Sequence, residues 1–139
     1  MKFSVGMMAT ILLFCGGLAA QTPDIVGRWT GVADTTDEAG TKRQEKQTLE
    51  IRMENGSLTG NTIGRTGKAG TAFKVQVAGE KINLYGFLDF DGGEHLRWKF
   101  EFKDGTLVGT FSALHDNPAK WIYDRIGAMT VTRDIAASK

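Results

Sequence analysis

Between Thr71 and Ser112 apolar and polar residues alternate through four runs separated by short turn signals. A period of two puts one face of each run in a core and the other in water, so the stretch reads as four half-buried strands. The turns fix how these strands pair. Gly79-Glu80 fits a hairpin loop with Gly first, setting Val77 opposite Ile82, Val75 opposite Leu84 and Phe73 opposite Gly86. Asp91-Gly92-Gly93 reads as the next turn, with Leu88 facing Leu96, Gly86 facing Trp98, Leu84 facing Phe100 and Ile82 facing Phe102. Asp104-Gly105 closes a type I′ hairpin that pairs Phe102 with Leu107, Phe100 with Gly109 and Trp98 with Phe111. All three turns agree on one inside face, and a slip of one residue would expose all of it.

The remaining chain extends the pattern. Ile25 to Ala33 is a first strand, and the polar stretch from Asp34 to Gln44 reads as a loop. In Thr48 to Glu54, Leu49, Ile51 and Met53 alternate with charged residues, and Asn55-Gly56 then gives a strong hairpin signal. Asn55-Gly56-Ser57 also fits a glycosylation sequon, but the turn is the better use of that Asn. Asn61 to Gly70, with Gly64, Gly67 and Gly70, fails the P-loop test: Ala69 follows Gly67-Lys68, and Thr62 stands where the upstream Gly is required. It reads as a connection. After Ser112 the alternation stops until Ala128 to Arg133. Within that gap Asn117-Pro118 marks a helix start, giving a short helix from Pro118 to Asp124 ended by Gly127. The expected architecture is all-β: about eight antiparallel strands in an up-and-down barrel, which leaves no free edge, with that short helix before the last strand. A two-sheet sandwich is the competitor, less favoured because it usually needs crossing connections.

The address is set by the N-terminus. Met1-Lys2, the apolar run through Ile11-Leu12-Leu13-Phe14 and the small residues to Ala20 form the pattern of a signal peptide over residues 1–20, cut after Ala20 or Ala19. Phe14 before Cys15 does not suit a lipobox. The barrel domain is then expected over 24–134 and a tail over 135–139, in an exported protein, periplasmic or extracellular. Loss of Lys2 with the leader leaves 16 basic residues against 16 acidic ones. A neutral chain does not hold nucleic acid or an anionic membrane by bulk charge. Cys15 is the sole cysteine, so the mature chain has neither disulfide nor thiol and depends on its packed core.

Gly27-Arg28-Trp29 on the first strand resembles the Gly-x-Trp motif of the lipocalins and the wider calycin group, which includes the avidins. The resemblance implies an eight-stranded, mostly secreted barrel that takes small molecules in its mouth. It also implies that Trp29 closes one barrel end and that Arg133, at the matching place on the last strand, stacks on it. Leu58-Thr59-Gly60 and Leu107-Val108-Gly109 resemble the Leu-x-Gly strands of small exported bacterial proteins of this type. The avidin-type polar set for biotin has no counterpart.

Two roles follow. Phe73, Leu84, Leu88, Trp98, Phe100 and Phe111 on the inner face would line a pocket for a small hydrophobic ligand. Alternatively these rings fill the barrel, with Trp98 over Gly86, and the protein is an interaction module: a secreted inhibitor or an envelope accessory protein. Tyr85 and Phe87, both outward on one strand, would then meet the protein partner. No catalytic residue, cofactor or metal is expected, and the chain is not read as an enzyme. His95 faces outward beside a turn, and His115 lies near Asp116 and Asp124 with no nucleophile identifiable. Two His and no mature Cys do not suggest zinc. Asp89, Asp91 and Glu94 lack EF-hand spacing and read as a solvated turn.

Overall fold

Asn55-Gly56 has φ of 52° and 81°, and Asp104-Gly105 has 51° and 79°. These are type I′ values, whose twist matches that of the flanking strands. With the Gly79 turn they set the pairings expected from sequence: Met53 opposite Leu58, Val77 opposite Ile82, Phe102 opposite Leu107. The computed structural model describes residues 23–89, 93–116 and 124–134. The proposed leader, most of the short helix, Asp91-Gly92 and the C-terminal tail lie outside the described residues.

The strands are β1 (Gly27–Asp37), β2 (Lys42–Glu54), β3 (Ser57–Ile63), β4 (Ala69–Ala78), β5 (Lys81–Leu88), β6 (Glu94–Lys103), β7 (Thr106–His115) and β8 (Arg125–Arg133). Each pairs antiparallel with the next, and β8 returns to β1, so the sheet is the expected closed up-and-down barrel. Trp98 and Phe100 are 1% and 3% exposed, while Arg97 and Lys99, which alternate with them, face water. Thirteen of the residues expected inside are buried, from Trp29 and Leu49 to Met129 and Val131. Leu58, Val75, Val77, Leu88 and Phe102 are partly buried against them. Met53 lies on the inward side of the pleat but is 56% exposed, because β2 overshoots the barrel there. Among the described residues no helix is long and apolar enough to cross a membrane.

Four expectations are corrected. Asp34 to Gln44 is not a loop: β1 and β2 run through it, pairing Asp34 with Gln44 and Thr36 with Lys42. Asp37 closes the turn that remains, its Oδ1 accepting from the backbone N–H of Ala39 and Thr41 at 2.9 Å each. Asn61 to Gly70 shrinks to residues 64–68, with a β-bulge between Asn61 and Ile63. The gap expected between Ser112 and Ala128 narrows from both sides, as β7 runs on to His115 and β8 starts at Arg125. The β5–β6 register is displaced by two residues. Leu88 faces Glu94, Gly86 faces Leu96, Leu84 faces Trp98 and Ile82 faces Phe100. A two-residue displacement keeps every side chain on its face, so the apolar pattern does not distinguish the two registers. The observed one puts Leu96, not Trp98, opposite Gly86, while Phe73 pairs with Gly86 as expected and with Gly60 on its other side.

The two ends of the barrel differ. One carries the two-residue turns β2–β3, β4–β5 and β6–β7. There Trp29 is fully buried and donates from Nε1 to the Ile25 carbonyl at 3.0 Å. The Arg133 guanidinium lies 4.4 Å over the Trp29 ring and donates to the carbonyls of Val26 and Asp24. The other end carries the longer connections 38–41, 64–68, 89–93 and 116–124.

Candidate functional site

Inward positions stay apolar along most of each strand and turn polar only at the long-loop end. The pleat fixes which residues these are: Thr35 and Asp37 on β1, Glu45 and Gln47 on β2, Glu94 on β6, His115 on β7 and Arg125 on β8. Thr35 is 2% exposed, Asp37 7% and His115 9%. Sequence reasoning missed most of this set. The loop expected over Asp34 to Gln44 covers Thr35 and Asp37, and the solvated turn expected at Asp89 and Asp91 includes Glu94.

Arg125 sits at the centre. Its guanidinium grips Glu45 with two bonds, Nε to Oε2 at 2.6 Å and Nη2 to Oε1 at 2.9 Å. Such a fork is stronger and more directional than a point-charge contact. Nη1 lies 3.5 Å from Glu94 Oε2. Thr35 Oγ1 donates to Glu45 Oε2 at 2.9 Å. Burial is the largest single influence on the Arg125 pKa and pulls it down. The hydrogen bonds and charge of Glu45, with those of Glu94, outweigh it, so Arg125 lies above its ordinary value and stays cationic.

His115 is held beside this pair. Its backbone N–H and ring Nδ1 both meet Asp124 Oδ1, at 2.8 and 2.9 Å. Nε2 lies 3.3 Å from Glu94 Oε2 but has no hydrogen-bond partner among the described residues. Asp116, the other acid near His115 in sequence, belongs instead to His95. This end thus gathers Glu45 and Glu94 around one guanidinium, with Asp124 on His115 and Asp37 paired to Arg43 at 3.5 Å. It is rich in acceptors. Among the described residues no group of three or more His, Cys, Asp or Glu side chains is arranged to hold a metal ion.

Below the charged ring are the aromatic residues singled out from sequence. Phe73 and Trp98 have ring centroids 5.5 Å apart, and Trp98 and Phe111 5.3 Å apart. Trp98 Nε1 donates to Gln47 Oε1 at 2.9 Å, and Arg125 lies 5.6 Å over the Phe111 ring. Phe73, Trp98, Phe111, Leu84 and Phe100 are all buried. Leu88 is the member of the expected pocket lining that is partly exposed, opposite Glu94 at the long-loop end. Phe87 is 43% exposed on the outer face, and Tyr85 is half-buried. Tyr85 Oη meets His95 Nδ1 at 2.7 Å, and His95 Nε2 meets Asp116 Oδ1 at 2.8 Å. A carboxylate only accepts, so Nε2 is the donor in the second bond.

The fold and site define a closed eight-stranded antiparallel barrel with Trp29 and Arg133 at one end and a polar, acceptor-rich inner lining at the other, an architecture consistent with a calycin-like fold. Comparison of the chain with protein-family models, with curated proteins and with solved structures finds no match in any of the three.

Proposed function

We propose that this is an exported binding protein, not an enzyme, and that it takes a small hydrophobic molecule with a hydrogen-bond-donating head at the barrel mouth. The observation that carries the reading is the asymmetry of the inner surface. One end is shut by Trp29 and Arg133, and the other gathers Glu45, Glu94 and Arg125 over the Trp98 and Phe111 rings. A few convergent polar groups beside apolar walls is the usual make-up of a ligand site. The ligand's apolar part would rest on Leu88, Leu96 and the rim of the aromatic cluster, with its head toward Glu94 and Glu45. Deeper, the buried rings of Phe73, Trp98 and Phe111 would form the floor of the site. Binding rather than catalysis is favoured because the Thr35 hydroxyl points at a carboxylate whose charge Arg125 already offsets, so no activated nucleophile results. Export is supported by the basic, apolar and small-residue order of residues 1–20.

The test is a titration followed by tryptophan fluorescence and melting temperature, using a medium-chain alkyl amine, alcohol and carboxylic acid. The amine and alcohol are expected to shift the emission and raise the melting temperature, and the acid to do so least. Trp98→Phe should abolish the optical change and keep the thermal one. No shift in either readout for any of the three would sink the reading.

A further inference from the structure

A second site lies on the outside of the barrel, away from the mouth residues. On the outer faces of β4, β5 and β6 the register lines up Lys74, Tyr85 and Arg97 in one row and Gln76, Asn83 and Lys99 in the next. These six side chains line a groove of about 540 Å³ whose base is the backbone at Leu84 and Trp98. No carboxylate lines it. Lys74, Arg97 and Lys99 have no acidic partner within 4 Å among the described residues; six other basic residues also have none, but these three share one groove without a carboxylate. Like charges left together on one face are destabilising. In a chain with 17 basic and 16 acidic residues, three unpaired cations around one groove are a local excess, not a reflection of bulk charge.

The layout restricts the ligand. The cations flank the central strand, which offers neutral hydrogen-bonding groups in Asn83 and Tyr85. Two strand spacings separate Lys74 from Arg97, about 10 Å, and Arg97 and Lys99 are about 7 Å apart along β6. These are backbone spacings, and the Arg97 guanidinium reaches in over the central strand. An extended ligand with more than one negative group and hydroxyls between them meets all three cations and the neutral groups together. The Arg97 guanidinium covers the Tyr85 ring at 4.8 Å, so the face lacks the open stacking surfaces that single-stranded nucleic acid uses. We propose that this face binds an acidic saccharide, with Lys74, Arg97 and Lys99 taking its carboxylates or sulfates and Asn83 and Gln76 its hydroxyls.

The test is calorimetric titration of the full chain with a trimer of galacturonic acid at two salt concentrations. Binding is expected, weaker at the higher salt. The pair Lys74→Ser and Lys99→Ser should lose at least about tenfold in affinity, and Lys74→Arg with Lys99→Arg should keep it. The pair Lys42→Ser and Lys46→Ser, exposed on β2, should change it less than about twofold. All four lysines are exposed, so each variant should melt with the parent. The proposal is overturned if the trimer does not bind or if both serine pairs lose affinity equally. It is also overturned if neutral maltotriose, inorganic phosphate or a short single-stranded oligonucleotide binds as tightly as the trimer.

Discussion

Arg125 illustrates how one residue can decide the state of a whole barrel end. Removing it leaves Glu45, 22% exposed, and Glu94, 12% exposed, facing each other without their shared cation. Breaking a partly buried charge pair on one side costs about 3 kcal/mol, mostly for the charge left behind. Arg125→Met should therefore lower the melting temperature by more than about 10 °C. Arg28→Ala breaks a pair that is 46% and 35% exposed and should cost about 0.5 kcal/mol. Equal losses in the two variants would mean that the mouth pair is solvated like a surface one. The pH dependence follows from the sign of the shift. A cation whose folded pKa is raised contributes fully below its unfolded pKa, and that contribution is lost only as pH rises through the folded value. The gap between the parent and Arg125→Met should thus stay constant from neutrality to about pH 10, and thermal melts across that range would check it.

At the scale of the element, closure depends on places where strands bend too closely for a side chain. A Cβ on Gly109 would fall 1.7 Å from the Lys99 carbonyl oxygen, and main chain cannot step aside as a flexible side chain can. Gly109→Ala is expected to cost about 3 kcal/mol through overpacking. Gly79→Ala meets no atom within 4 Å and carries only the strain of φ +65°, about 1 kcal/mol. Denaturant melts giving equal losses would show that the strands can part at Gly109. The same elements mark where sequence was informative. Hairpins with Asn55-Gly56, Gly79-Glu80 and Asp104-Gly105 were legible because turn chemistry and alternation point to one register. The β5–β6 register was not, since a displacement of two leaves the pattern intact and no tight turn fixes it. The mouth was hidden because its walls are strand ends whose inward residues are polar. Gln47 and Glu45 continue the parity of Ile51 and Leu49, and Thr35 that of Ala33. That parity was the available signal, and reading polar composition as loop overrode it.

In the whole molecule the first and last strands must meet before either end is defined, with Trp29 opposite Arg133 and Asp37 opposite Arg125. Pairings so distant in sequence slow folding of all-β chains to milliseconds or longer. Once closed, the barrel should open unevenly. One end has two-residue turns, a buried Trp29 and the Arg133 bridge. The mouth end has connections of four to nine residues and rests on ion pairs. Local opening follows sparse apolar contact, so it should begin at the mouth. Amide hydrogen exchange is the measurement. Amides of Phe102, Leu107 and Val131 should exchange only through global unfolding. Those of Arg125 and His115 should exchange roughly a hundredfold faster, a gap of about 2.7 kcal/mol. A mouth ligand acts on the same amides: at a hundred times its Kd it stabilises the bound form by about 2.7 kcal/mol and should slow them roughly a hundredfold, erasing that gap. A saccharide on the outer β4–β5–β6 face should leave them in place and protect β5 instead. Uniform exchange at both ends in the free protein would remove the asymmetry on which the mouth site depends. Protection of the mouth by the saccharide would merge two sites that the barrel wall keeps apart.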